Sequence, residues 1–494
     1  MRRIPHLPSR TLIAIALGLI AFVSYEWSLL APKADAIPAF ARKYNFACNV
    51  CHVPGFPKLN DFGNQFRDHG YQLGSDNDAP DYEGITMGYW PVSLRSTVGY
   101  RTQTYGPEGG GQGGGNVTTG SLGYRTLQLL SYGVLTKNIT YGIQFAPALN
   151  GANFGTTQAG GDLPLAFVKF TNLERFLGGP TQDSYILNMK VGKYEPELPF
   201  SAFRNPTQLN TPIVMYNYSA GTPYTSANFP ANTNVSNGYN NASLRSLQQG
   251  ANGVELAGIK ATAITDGFFR YSLNYFSNVT GTGSGAGGGG RGGYFYGHVT
   301  QSFNGYGIVS GQRIGLSGWV GDAPTVANPF NPGGGTTGTN GTSGTGRTFS
   351  RFAVDGSLTF DGQWNLFGAF IHAEDSQDLM VQNPLAQRQT AKWNGGFVEL
   401  DWAPNALPFF DTPNWLFLYR FDVIRNEQQG NKTFQGNYNN VDSHTWMARY
   451  YLHFSSRTDI AWHTEFNWFR TRATADFGQD MIGSMFFTGF DFAL

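Results

Sequence analysis

The sequence predicts an all-β fold: a transmembrane antiparallel β-barrel of about sixteen strands, preceded by a small helical segment at the N-terminus. Three observations predict it. The composition is rich in glycine and aromatics and poor in charge, hydrophobicity alternates with a period of two, and the connections alternate short and long. Of 494 residues, 65 are Gly, 39 Phe and 25 Tyr, and charged residues make up 13%, about half the usual ~25%. So little charge argues against a soluble enzyme. The 33 basic and 33 acidic residues balance, which gives no reason to expect nucleic acid as a partner. The abundant aromatics exclude a disordered chain, and the negative mean hydropathy excludes a helical membrane protein.

In chain order, the first element is an export signal over residues 1–36. Arg2, Arg3 and Arg10 precede an apolar run from Leu12 to Val23, and Ala34-Asp35-Ala36 supplies a small-x-small cleavage site. The run is shorter than the ~20 residues a spanning helix needs, which disfavours a retained anchor. Removing 1–36 takes away four basic and two acidic residues, leaving 29 and 31 and a net charge of −2.

The second element, residues 37–80, carries both cysteines of the chain in Cys48-Asn49-Val50-Cys51-His52. In a C-x-x-C-H sequence the two thiols add across the vinyl groups of one haem, and the adjacent histidine becomes an axial iron ligand. The spacing therefore predicts one covalent haem c on Cys48 and Cys51, with His52 on the iron. A disulfide or redox pair would normally sit in a βαβ context, and a zinc site would need a fourth ligand, with His69 nearest. The sixth iron ligand stays open. His69 and Met87 are the nearby residues of suitable type, and a group from the far wall of the next domain or an open position serves equally. A segment this small cannot cover both faces of a haem by itself, so another part of the chain must supply a wall.

The third element, residues 84–494, reads as strands. Ile460, Trp462, Thr464, Phe466 and Trp468 alternate with Ala461, His463, Glu465 and Asn467. The same period recurs in Trp415 to Val423 against Arg420 and Asp422, in Phe352 to Phe360 against Arg351 and Asp355, and in Trp446 to Phe454 against Arg449, Tyr451 and His453. Period two means a sheet with two different faces. A β-sandwich would also alternate, so the connections decide. Tight turns such as Lys137-Asn138, Asp361-Gly362-Gln363 and Ser455-Ser456-Arg457 alternate with long polar loops near 105–120, 195–251, 280–292, 322–347, 376–390 and 427–442. An even strand number with short turns at one end and long loops at the other is the pattern of an outer-membrane barrel. It places both termini on the short-turn, periplasmic side. Within the longest loop, Gly192 to Phe200 reads as a segment folding inward as a constriction.

The motif and its flanks are shared with a known group. Ile37-Pro38-Ala39-Phe40-Ala41-Arg42, Cys48-x-x-Cys51-His52, Phe56-Pro57-Lys58-Leu59-Asn60-Asp61-Phe62-Gly63, Phe66 and Gly70-Tyr71 resemble the outer-membrane cytochrome–porin fusions of iron-oxidising bacteria, which join a short monohaem domain to a porin-like barrel. Leu73 stands where many members carry Met, so the sixth ligand does not carry over. The resemblance implies a haem in or at the barrel mouth that takes electrons from extracellular Fe(II) and passes them to a periplasmic c-type cytochrome or cupredoxin, with outer-membrane lipid around the barrel.

Iron(III) oxides precipitate, so a cell gains by leaving iron outside and moving only the electron. The same parts serve outward electron transfer to an external acceptor. They also serve a solute porin in which the haem domain is a plug or sensor. On the inward-reading faces stand Glu399, Asp401, Asp422, Asp355, Glu465, His453 and His463, oxygen and imidazole groups suited to Fe(II) at a wet site.

Overall fold

The computed structural model describes residues 40, 48–51, 59–73, 92–108, 117–147, 162–179, 184–198, 209, 211, 213–218, 251–277, 293–303, 312–322, 348–360, 363–377, 389–404, 414–430, 439–454, 459–472 and 480–493. The export signal, His52, Met87 and most of the long-loop residues lie outside this set.

Sixteen strands among the described residues close into one antiparallel barrel. They are β1 (Val92–Pro107), β2 (Val117–Thr136), β3 (Ile139–Ala146), β4 (Asp162–Phe170), β5 (Asn188–Tyr194), β6 (Ala251–Thr262), β7 (Gly267–Ser277) and β8 (Gly293–Phe303), followed by β9 (Gln312–Asp322), β10 (Thr348–Phe360), β11 (Trp364–Asp375), β12 (Ala391–Trp402), β13 (Trp415–Gln428), β14 (Val441–Phe454), β15 (Asp459–Thr471) and β16 (Met481–Ala493). Every strand pairs with its sequence neighbours, and β1 closes the ring on β16, from Arg95 opposite Ala493 to Pro107 opposite Met481. The start of β1 and the end of β16 therefore lie together, at the short-turn end. Asn138 and Asp266, both with positive φ, form the tight corners after β2 and β6, a conformation that Asn and Asp tolerate well. Two connections at this end are longer: residues 171–187 between β4 and β5, which carry a 3-10 turn, Leu173–Leu177, and residues 403–414 between β12 and β13.

The two faces have opposite character from those of a soluble sheet. Outward residues are large and apolar, with Phe295 at 60% and Phe352 at 55% exposure, whereas inward Glu399 and Asp422 are at 0%. A closed sheet with a polar interior and an apolar exterior is built to stand in lipid, and closure leaves no sandwich. On the outer surface at the short-turn end, aromatic rings form a continuous band. Trp364 stacks on Trp402 at 5.1 Å, Trp402 on Phe417 at 5.5 Å, and Trp415 meets Tyr450 at 4.9 Å. Such amphipathic rings suit a headgroup layer.

One inward expectation is corrected. The register of β14 against β15 shifts between Tyr451 and His453, so Tyr451 opposes inward Ala461 while His453 opposes outward Ile460. A bulge inserts one residue and turns every later side chain to the other face. His453 therefore stands on the outer face.

Candidate functional site

The described part of the helical segment meets inward residues of the barrel wall, among them Tyr132, Lys169 and Arg270. Cys48–Cys51 form a single helical turn, α1, and Asp61–Asp68 form α2. One turn brings positions 48 and 51 next to each other. Asn60 ties the helices together: its N–H donates to the Cys51 carbonyl at 2.9 Å, its Nδ2 donates to the Val50 carbonyl at 3.0 Å, and its Oδ1 accepts from the Gly63 N–H at 2.8 Å as the cap of α2. Gly63 permits the contact, since a Cβ there would stand 2.1 Å from the Cys51 carbonyl oxygen. Burial pushes the Cys51 thiol up to about 11, the reverse of what a thiolate redox centre requires. An aromatic group covers one side of α2: Phe40 meets Phe66 edge-on at 5.2 Å and stacks on Tyr71 at 4.9 Å, and Tyr71 reaches the inward ring of Tyr132 at 5.8 Å.

The C-terminus of α2 is bound to the inner wall. The His69 N–H donates to the Gln65 carbonyl, and its ring stacks on Tyr185 with centroids 3.9 Å apart. His69 thus packs the helix end against the wall, about 9 Å along the axis from Gly63 at 1.5 Å per residue. Gly70, at φ +74°, presses on β3 and the residue after β4, where a Cβ would come within 2.9 Å of Thr140 Cγ2 and 3.1 Å of Thr171 Cγ2. Lys169 Nζ donates to the carbonyls of Arg67 at 3.2 Å and Asp68 at 2.8 Å. Arg67, Asp68, Glu197 and Arg270 join through four ion pairs of 2.6–3.1 Å. Burial alone would raise the Asp68 carboxyl, but the Arg270 and Arg67 guanidiniums hold it well below the usual carboxylate range.

The second occupant of the lumen comes from the β5–β6 connection. The expected inward turn after Gly192 is present, with Tyr194, Glu195 and Leu198 buried. A short helix that the sequence reading did not anticipate, α3 (Val214–Asn217), continues it. Ile213, Val214, Met215, Tyr216 and Tyr218 share a buried core with wall residues Phe276, Tyr296, Trp319, Phe367, Trp393 and Phe469. Tyr296 and Trp319 stand 4.7 Å apart, and Tyr218 meets Trp393 at 5.0 Å. Burial raises the Tyr216 and Tyr218 hydroxyls, so both stay neutral. The signal for this filling was the run Ile213 to Tyr218, an apolar patch in an otherwise polar loop.

The same segment is hydrogen-bonded to the acidic wall. The Thr211 N–H and hydroxyl donate to Glu465 Oε1 at 2.9 and 2.6 Å, and the Val214 N–H donates to Asp422 Oδ1 at 3.1 Å. Arg420 pairs with Asp422 at 2.7 Å and with Glu399 at 3.7 Å. His463 lies 3.3 Å from Glu465 and 3.2 Å from Asp491, and Arg449 pairs with Asp491 at 2.8 Å. Asp355 faces His298 at 3.0 Å. The inward acids read from the sequence, Glu399, Asp401, Asp422, Asp355 and Glu465, are thus inward as expected but buried rather than bathed in water. Among the described residues, no group of three or more His, Cys, Asp or Glu side chains is placed to hold a metal ion.

No protein-family model and no curated protein matches the chain. Solved structures do resemble it. The loop L8 deletion mutant of OmpT, an outer membrane protein of Vibrio cholerae, shares 13% identity, covering 82% of this chain and 99% of that one, with a TM-score of 0.41. OprB of Pseudomonas putida shares 11%, covering 90% and 99%, with a TM-score of 0.43. Salmonella typhi OmpF, solved with daunomycin, shares 10%, covering 81% and 97%, with a TM-score of 0.43. At these scores the barrel is assigned from its own strand pairing.

Proposed function

We propose that the chain is an outer-membrane electron-transfer protein, in which a covalent c-type haem on the lumenal helix pair passes electrons from extracellular Fe(II) to a periplasmic c-type cytochrome or cupredoxin. The observation that carries this reading is the seating of the C-x-x-C turn on a helix pair fixed inside the barrel. The segment is too short to enclose a haem alone, and the barrel wall supplies what it lacks. The residues fit the group. Cys48 and Cys51 would hold the group through thioethers, His52 would bind its iron, and Phe40, Phe66 and Tyr71 would give it an apolar flank. A bound haem supplies one-electron redox chemistry. The chain's own part is to hold that group at fixed depth and to exclude water with the buried segment around α3.

The filled lumen also supports this reading over a solute porin, since inward side chains such as Tyr194, Trp319, Arg420 and His463 are out of reach of solvent. The test uses purified full-length protein. The expected result is haem-stained protein on a denaturing gel, lost in the Cys48→Ala, Cys51→Ala double variant, and a haem reduced by Fe(II) within seconds. Haem surviving the double variant overturns the attachment. A haem indifferent to Fe(II), in a barrel that passes small sugars freely, selects the solute porin. Rapid oxidation of the reduced haem by an external acceptor, without reduction by Fe(II), selects outward transfer.

A further inference from the structure

We infer that Arg67, Glu197, Arg270 and Asp68 form a positioning site that locks the two lumenal occupants to each other and to the wall, and that this lock closes the barrel to solutes.

The four charges alternate around a closed ring. Arg67 NH2 meets Glu197 Oε1 at 2.8 Å, Arg270 NH2 meets the same oxygen at 2.7 Å, Arg270 Nε meets Asp68 Oδ2 at 2.6 Å, and Arg67 Nε meets Asp68 Oδ1 at 3.1 Å. Each carboxylate thus faces two guanidiniums and each guanidinium two carboxylates. The planar fork of arginine suits such sharing, and lysine would not reproduce it. Three separate parts of the chain contribute: α2, the β5–β6 segment and β7. The ring joins them over separations of 130 and 202 residues.

Position gives the ring its consequence. Thr140, Lys169, Thr171 and Tyr185 place the end of α2 at the short-turn end of the lumen. Glu197 belongs to the segment that descends from the long-loop end, and its carbonyl accepts from Tyr296 on β8 at 2.5 Å. The helix pair and the β5–β6 segment therefore enter from opposite ends and meet at these charges. The segment from above is wedged by apolar packing, whereas the helix pair is joined to it by ion pairs. Buried ion pairs are costly to break singly, because a lost partner leaves an uncompensated charge. The joint is strong while complete and fails as a unit. This inference does not rest on the haem, so its failure and that of the proposed function are read separately.

The experiment places full-length protein in planar bilayers and compares it with Glu197→Gln, Arg270→Gln and a control, Asp491→Asn, that removes a buried ion pair made only by wall residues. Proteolysis of the N-terminal segment is followed in the same preparations. Wild type is expected to be non-conducting with the segment protected. Either ring variant is expected to show stable open channels and at least tenfold faster cleavage between residues 37 and 73, while each barrel stays heat-modifiable on a gel. Asp491→Asn is expected to remain closed. Arg270→Lys should fall between, because a point charge replaces the fork. An open wild-type channel overturns the proposal. So do ring variants that stay closed and protected, or a control that opens as they do. If a glutamine variant fails to fold, Arg270→Lys alone decides between closure equal to wild type, which overturns the lock, and intermittent opening, which supports it.

Discussion

The two occupants of the lumen are held by different forces. The segment around α3 is held mainly by apolar packing, with Val214 and Met215 at 0% and 1% exposure in a core of wall aromatics, beside hydrogen bonds to Glu465 and Asp422. The helix pair is held at its far end by charges and by one stacked histidine. Apolar holding is additive in area, so damage to it is graded. Polar holding depends on complete partnership, and losing one member strands the rest. The barrel thus carries one filling packed from the long-loop end and a second fastened to it near the short-turn end. Variants that touch only one occupant are the way to break that distinction.

The largest effect is expected at Trp319, fully buried beside Tyr296. Trp319→Ala should lower barrel stability by about 3–5 kcal/mol, the range for large-to-small core changes, read as a fall in the urea midpoint of the heat-modifiable form. The helix pair should keep its seating below that midpoint, with α2 still protected from protease. Asp422→Ala comes next. It removes the carboxylate that serves both Arg420 and the Val214 N–H. Breaking such a buried pair costs about 3 kcal/mol, and the loss should loosen the α3 segment while leaving α2 in place. Equal loosening of both segments would mean that they are one unit and that the comparison is false.

The wall was far more legible in the sequence than its contents. The strands were readable because they alternate, over 7 to 20 residues, between side chains that face lipid and side chains that face the lumen. The bulge in β14 was not readable, since Tyr451, Leu452 and His453 alternate as well in one register as in the next. The motif Cys48 to His52 stands out in the sequence because the proposed covalent attachment would demand local spacing. The turn after Gly192 was legible from its prolines and apolar residues, but α3 was hidden in a long loop. The ring was invisible. Arg67, Asp68, Glu197 and Arg270 each look like an ordinary charge, and only the closed barrel brings them together.

Gly63→Ala sharpens the comparison from the helix side. A methyl group 2.1 Å from the Cys51 carbonyl oxygen must push α1 away from α2, a cost of about 1–3 kcal/mol by analogy with overpacked cores. Haem attachment should fall in yield while the urea midpoint of the barrel is unchanged. A drop in that midpoint would show that the helix pair supports the wall.

The smallest effect is one of pH. Arg270 and Arg67 hold the Asp68 carboxyl below the usual range against its burial, whereas in an unfolded chain it titrates near ~3.9. A carboxyl with a depressed folded value contributes stability that is complete above the unfolded value and is lost as pH falls through the folded one. The groups facing it are Arg67, Arg270, Glu197 and the Lys169 ammonium, which bonds the Asp68 carbonyl. Protection of residues 59–73 should therefore be flat from pH 7 to about 4 and decline only below that, which pepsin digestion can follow in acid. In Asp68→Asn the seating should be weaker throughout and this carboxyl's share of the acid decline absent. A wild-type acid decline identical in shape to that of Asp68→Asn would mean that Asp68 has no depressed folded value, and that the ring does not close around it.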